Sequence, residues 1–405
     1  MNNLKIAYIS YEFPPDTSGG GIGSYIQQVA KIMHSYSHDI AVFCGTNKDD
    51  YQYDDGGIKV YRVKAEGTES FRKNVVNCFA KIHKEVSFDL IEGPEYGADG
   101  YEIKKAFPQL PYVVKCHSPS YIIRQYNDFF GQYILPHQKM ALAKIWVKQL
   151  FNLPYYPFYN KEKDLEYINV RSSNKIFSPS LGLAKKLSKD WKLNLASFSI
   201  VPNPYSPTSE MLSIPLEYKT NRITFLGKLS VLKGMIDIIK AIPLVLKKEP
   251  RLKFRFIGQD GFAADGSSMS EYLLKQCSEY KDNIEIFGKV PLDMIPQYLG
   301  ETDVVLCTSL WENYPTVILE AFSAGRCVIA TKVGGIPEIV KHNQNGLLVN
   351  KKEPENMAAE ILRVFRDKDL MQQLGKEGRE SIQTFSASTE LYKAIVNSYL
   401  KLLGK

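Results

Sequence analysis

The sequence predicts an α/β protein built from two doubly wound parallel sheets. At 405 residues the chain exceeds what one core ordinarily serves, and its 44% hydrophobic content suffices for two. Short, continuous apolar runs are separated by helical patterns, as in parallel sheets covered on both faces. This scheme occurs twice, on either side of a proline-rich stretch.

In the first half the strand patterns are Lys5–Ser10, Ile40–Phe43, Lys59–Val63, Leu90–Glu92, Tyr112–Cys116, Lys175–Ser178 and Phe198–Val201. Helical patterns fall between them, as at Gly23–His34 and Phe71–Glu85. The second half runs through Arg222–Leu226, Lys253–Ile257, Ile284–Phe287, Val304–Cys307, Val328–Ala330 and Gly346–Val349. Between the halves, Pro202, Pro204, Pro207 and Pro215 punctuate a segment of little periodicity, which reads as a linker. Pro354 opens an amphipathic helix carrying Met357, Ile361 and Phe365, and a last helix spans about Ala387–Leu403. The expected division is 1–205, 206–385 and a terminal helix at 386–405. Ligands of such sheets bind beyond the carboxyl ends of the strands, so the site is expected in a cleft between the domains.

Six scattered cysteines form no C-x-x-C pair, which argues for a reducing compartment and against a zinc site. The chain starts directly in a strand pattern and has no apolar run of about 18 residues, so it reads as cytoplasmic. The net charge is +7. Lys139–Lys192 holds 11 Lys and Arg against 4 Asp and Glu, interleaved with Trp146, Phe151, Tyr155, Tyr156, Phe158 and Tyr159. That stretch reads either as a solvated face or as a docking surface for an anionic membrane or lipid phosphate on the inner face. No nucleic-acid motif accompanies it.

Thr17–Gly23 follows the first strand and opens a helix, where glycines allow close approach and free amides suit an anion. It lacks the spacing of a dinucleotide fingerprint and the G-K-[ST] of a P-loop, and by itself also reads as a structural turn. In the second half, Gly227, Lys228, Lys233 and Gly234 follow a strand, and the two lysines suit a diphosphate leaving group. The segment Ser309–Ala321 carries most of the chemistry. Pro315 and Thr316 suit a helix start, placing Glu312 in the loop and Glu320 one turn into the helix. The amides of Thr316 and Val317 would then offer an anion site. Two carboxylates flanking a phosphate would repel it; they suit hydroxyls on either side of a diphosphate, a sugar on one side and a ribose on the other, which is the arrangement of a sugar nucleotide.

The Glu312-x7-Glu320 spacing resembles that of retaining glycosyltransferases of family 4, with the GT-B fold: two Rossmann-like domains facing a cleft and a C-terminal helix crossing back. The likeness extends through Gly19–Gly23, His117, Gly227-Lys228, Lys233-Gly234 and Val333-Gly334-Gly335-Ile336-Pro337-Glu338. It implies a donor site of Gly20, Gly21, Lys228, Lys233, Val290, Glu312, Asn313, Tyr314, Thr316, Val317 and Glu320, with the nucleotide base read near Phe287–Val290. His117, Glu312 and Lys233 are the implied catalytic residues. Glu12, Asp16 and Glu95 are candidate acceptor contacts, and Arg171, Lys175 and Ser178 fit a site or a scaffold equally. Lys228 stands where many relatives carry Arg, replacing a two-pronged contact by a point charge. Asn313-Tyr314-Pro315 replaces a glycine-rich loop, and Pro315 has no N–H to donate.

The implied reaction moves a hexose from a UDP- or GDP-sugar, UDP preferred, to a glycan or lipid-linked acceptor, in cell-surface polysaccharide or glycolipid synthesis. No cofactor or metal is expected; Asp367-Lys368-Asp369 reads as surface charge. A GT-B epimerase or hydrolase, and a non-catalytic membrane-associated scaffold of the same fold, are the alternatives.

Overall fold

The structure, a computed structural model, describes residues 3–17, 20–128, 132–133, 159–263, 265–385 and 388–405. Ser18, Gly19 and most of the basic aromatic stretch, including Trp146, Phe151, Tyr155, Tyr156 and Phe158, lie outside the described residues. The chain forms two compact units. Unit 1 comprises Met1–Tyr121, Phe158–Tyr205 and Ala387–Lys405; unit 2 comprises Ile122–Pro157 and Ser206–Ser386.

The strands of unit 1 are β1 (Lys5–Ser10), β2 (Asp39–Thr46), β3 (Tyr51–Asp55), β4 (Ile58–Lys64), β5 (Leu90–Pro94), β6 (Tyr112–Lys115), β7 (Lys175–Ser178) and β8 (Phe198–Ile200). They pair in the order β3-β4-β2-β1-β5-β6-β7-β8. The pairings are parallel except the β3–β4 hairpin, whose turn uses Gly56 and Gly57 at φ 62° and 97°. β3 was not expected from sequence: Tyr51-Gln52-Tyr53-Asp54-Asp55 is polar and lies at the sheet edge with both faces largely wet.

Helix Gly21–Ser35 covers this sheet with Ile22, Tyr25, Ile26, Val29, Ala30 and Met33, the spacing of one buried helical stripe. The C-terminal helix Ser388–Leu402 joins the same core through Tyr392, Ile395, Val396 and Tyr399, at i, i+3, i+4 and i+7. Each such side chain contributes about 1.5–3 kcal/mol by burial. Tyr392 stacks on Tyr36 with ring centroids 3.6 Å apart. The Tyr399 and Tyr25 hydroxyls both donate to the buried Glu92 carboxylate, Tyr25 at 2.7 Å. The expected return of the last helix to the first domain is therefore observed within unit 1.

Unit 2 holds β9 (Arg222–Leu226), β10 (Lys253–Ile257), β11 (Ile284–Phe287), β12 (Val304–Cys307), β13 (Cys327–Thr331) and β14 (Leu347–Val349), all parallel. Their order, β11-β10-β9-β12-β13-β14, is that of a doubly wound sheet, with its switch point between β9 and β12. Helices Met235–Leu246 and Pro354–Arg366 share its apolar core. Part of the expected linker is stapled to this unit: the buried Arg326 guanidinium donates to Glu217 O and Thr302 O, each at 3.0 Å. Asp367 caps helix Lys368–Phe385, its Oδ1 accepting Leu370 N–H at 2.9 Å.

All six cysteines are free and five are buried. Among the described residues no helix is long and apolar enough to cross a membrane.

Candidate functional site

In unit 2, register brings the two strands of the switch point out together: Phe225 of β9 pairs with Leu306 of β12. The loops that follow are fitted backbone to backbone. A Cβ on Gly258 would stand 1.9 Å from Gly227 O, and one on Gly234 would stand 1.9 Å from Thr308 O. Gly234 also holds φ at 80°, so both space and conformation demand glycine. Leu310 N–H donates to Leu232 O at 2.7 Å, and Thr308 Oγ1 to Lys233 O at 3.1 Å. The lysine loop is thereby laid against the glutamate loop.

This packing makes Lys233 and Glu312 an ion pair. Ser309 Oγ donates to the same Glu312 oxygen at 3.1 Å. The Glu312 carbonyl accepts Gly335 N–H at 3.0 Å, and a Cβ on Gly334 would come within 1.8 Å of it. Burial opposes the charge of Lys233, but the Glu312 carboxylate outweighs it and raises the ammonium pKa above its ordinary value. Sequence reasoning had the two residues as separate ligands; their mutual pairing, and the part of Ser309, appear only in the fold.

Trp311 Nε1 donates to Asn313 Oδ1 at 2.9 Å. Asn313 and Tyr314 are buried, and burial pushes the Tyr314 hydroxyl up to about 12. Pro315, extended at φ −74° and ψ 114°, precedes helix Thr316–Ser323. The amides of Thr316 and Val317 sit in its first turn, where a helix has no internal acceptors to offer. Glu320 lies on this helix, half-buried, and burial raises its carboxyl to about 7. Lys228 is exposed. Val290 follows β11 at the sheet edge.

In unit 1 the switch point lies between β1 and β5. Gly20 precedes helix Gly21–Ser35, and a Cβ there would stand 2.6 Å from Glu12 Oε2, whereas Gly21 faces open space. Burial raises the Glu12 carboxyl. Asp16 accepts from Thr46 Oγ1 and Tyr51 OH at 2.6 Å and from Lys48 Nζ at 2.9 Å. Those hydrogen bonds hold it well below the usual carboxylate range and make it a brace for the β3 edge.

Glu95 is buried after β5, and its Oε2 accepts the His117 N–H at 2.6 Å. Burial, with the nearby Glu166 carboxylate, raises Glu95 to about 8. Burial, reinforced by the Lys115 charge, drives His117 down to about 3. Its ring meets Tyr25 edge-on at 5.3 Å. Glu166 ties the same loops together, accepting Gly97 N–H at 3.1 Å and Ser120 N–H at 2.7 Å. Sequence reasoning did not find Glu166, which comes from a distant helix. Arg171 packs on Tyr167, its guanidinium 5.8 Å from the ring centroid, and Lys175 and Ser178 are strand residues of β7.

Residues 210–381, which hold the whole unit 2 site, match the family described as Glycosyl transferases group 1. Over 99% of its length the chain is 22% identical to an uncharacterised glycosyltransferase of Methanocaldococcus jannaschii, covering all of that protein. Among solved structures it is similar to the sucrose-phosphate synthase of Thermosynechococcus elongatus, with TM-score 0.75 and 19% identity over 99% of this chain and all of that one. It is also similar to Anabaena HepE in complex with UDP-glucose, with TM-score 0.66 and 15% identity over 98% of this chain and all of that one. The fold is GT-B. Residues 210–381 are thus a Glycosyl transferases group 1 domain within a chain of GT-B fold.

Proposed function

We propose that this protein transfers a hexose from a nucleotide sugar, UDP-linked, to a glycan or lipid-linked acceptor, retaining the anomeric configuration as family 4 enzymes do. One observation carries the donor site: a lysine–glutamate pair at the switch point of the unit 2 sheet, beside a helix start and a second glutamate. Lys233 and Lys228 neutralise the diphosphate, assisted by the amides of Thr316 and Val317; the family resemblance adds those of Gly20 and Gly21. Glu312, with Asn313 and Tyr314, takes the sugar hydroxyls; Glu320 takes the ribose hydroxyls; the base lies near Val290. UDP is favoured because similar structures such as HepE hold UDP and UDP-glucose.

In the reaction the acceptor oxygen bonds to the anomeric carbon on the face from which the diphosphate departs. The bond from that carbon to the diphosphate oxygen breaks, and the acceptor proton passes to the departing phosphate oxygen. The protein positions the reactants and stabilises charge. No metal is needed for this. The family resemblance assigns neutral His117 to the reacting face of the sugar. Glu12, Asp16 and Glu95 line the acceptor side, Glu95 by orienting His117.

The acceptor is met at the inner face of a membrane. Exposed Leu181, Leu195 and Ile200 accompany exposed Lys185, Lys189 and Lys192, a pattern suited to an anionic lipid surface. Thermal shift against UDP- and GDP-sugars tests the donor. Release of free sugar without any acceptor would mark an epimerase or hydrolase instead, and no nucleotide binding would mark a scaffold.

A further inference from the structure

Building on the donor site proposed above, we infer that Tyr126 and Asn127 are positioning residues of that site, Tyr126 bracing the loop that presents Asn313 to the sugar half of the donor and Asn127 the loop that presents Lys233 to the diphosphate. Both residues belong to unit 2, although they are distant in sequence from the loops they touch.

The Tyr126 ring stacks on Trp311, with centroids 5.9 Å apart and planes 18° from parallel. Lys351 Nζ lies 4.8 Å from the Tyr126 ring centroid and donates to Leu310 O at 3.3 Å. An indole on a loop gains a fixed rotamer from such contacts, worth about 0.5–1.5 kcal/mol for the aromatic pair. The indole nitrogen can only donate. By donating to Asn313 Oδ1 it sets which end of that carboxamide is oxygen. The chain of contact therefore runs from Tyr126 through Trp311 to Asn313, in the loop that departs from the glycine-rich pattern of many relatives.

Asn127 works on the other loop. Its Oδ1 accepts Leu232 N–H at 3.2 Å, while Leu232 O accepts Leu310 N–H. Leu232 is thus held at both its backbone groups, immediately before Lys233. Further along the same segment, Tyr133 OH donates to the buried Asp237 at 2.8 Å, and Asp237 also accepts Lys352 N–H at 2.7 Å. Asp237 stands in the first turn of helix Met235–Leu246, just beyond Lys233 and Gly234. Asn127 and Tyr133 thus hold the chain before and after Lys233. The Tyr126–Trp311–Asn313 contacts reach neither Lys233 nor Glu320, so their loss falls on the sugar and spares the diphosphate and ribose, whereas Asn127, on the lysine loop, acts on the diphosphate.

The test compares dissociation constants of nucleoside diphosphates (UDP, GDP) with those of their sugar conjugates (UDP-glucose, UDP-galactose, UDP-N-acetylglucosamine, GDP-mannose) by calorimetry. Trp311→Phe keeps a ring but deletes the N–H donor; Tyr126→Ala deletes the stack; Tyr126→Phe keeps it. Trp311→Phe and Tyr126→Ala are expected to weaken the sugar conjugate about tenfold, the worth of one oriented hydrogen bond, and to leave the diphosphate within about twofold. Tyr126→Phe is expected to match wild type for both. Equal weakening of both ligands would show a merely structural role, and unchanged affinity for both would show none; either overturns the inference. Wild-type protein that binds none of the six nucleotides would instead defeat the donor site itself, and this inference with it.

Discussion

Lys233→Ala is the sharpest perturbation of the donor site. A unit charge about 4 Å from a phosphate oxygen is worth about 4 kcal/mol at an effective dielectric constant of about 20. In the free protein that ammonium is already held by Glu312, the two side chains being 34% and 15% exposed. Giving up so partly exposed a pair costs about 1 kcal/mol, which reduces the net gain from the diphosphate. The alanine variant, however, leaves the Glu312 carboxylate without its cation, facing the diphosphate with like charge. The two corrections oppose each other, leaving a loss of about 3–4 kcal/mol, or two to three powers of ten in kcat/KM. Lys228 is exposed and screened, so Lys228→Ala is expected to cost about tenfold at most. Initial rates of donor consumption at several salt concentrations measure both. A Lys233→Ala enzyme within tenfold of wild type, or a larger loss from Lys228→Ala, would refute the assignment of the diphosphate to Lys233.

Other outcomes follow from the same geometry. Glu320→Ala is expected to abolish transfer, measured with the donor that thermal shift identifies. Because burial holds the Glu320 carboxyl near 7, its ionised, hydroxyl-accepting form is lost as pH falls through that value. Sugar-nucleotide affinity should therefore decline between pH 8 and about pH 6, and Glu320→Gln should flatten that profile in calorimetry. His117, held at about 3, stays neutral over this range and contributes no inflection. Proton NMR of the product should show the anomeric configuration of the donor, and inversion would exclude front-face transfer. Ile395→Ala, a cavity in the contact of the last helix with unit 1, should cost about 2–4 kcal/mol in denaturant unfolding followed by circular dichroism. Liposome flotation should show salt-sensitive binding to anionic vesicles, and equal binding to neutral ones would remove the membrane surface from the proposal.

The buried strands were legible because residues of a sheet covered on both faces are mostly apolar, and runs such as Val304–Cys307 and Val328–Ala330 say so directly. β3 was not, since an edge strand with exposed faces carries no such signature, although Asp55-Gly56-Gly57 marks its turn. Glu312 and Glu320 could be placed by their spacing about a helix start. The engagement of Asp16 by Thr46, Lys48 and Tyr51 depends in part on that unforeseen β3 edge, which no local spacing records. Glu95 similarly holds the backbone of His117, a contact that requires β5 and β6 to lie side by side.

What the amino-acid order determined on its own is local: strand, turn and helix-start chemistry, and glycines wherever backbones must nearly touch. Those features depend on neighbours a few residues away, and period and spacing record them. What tertiary structure alone decided is which distant charges and rings meet. Lys233 finds Glu312 because β9 and β12 adjoin in the sheet and their exit loops interlock through Gly234 and Thr308. Tyr126 finds Trp311 because residues 122–128, from the first half of the sequence, fall in unit 2. Pairings of that kind are properties of register and packing, which no span of residues around either partner encodes.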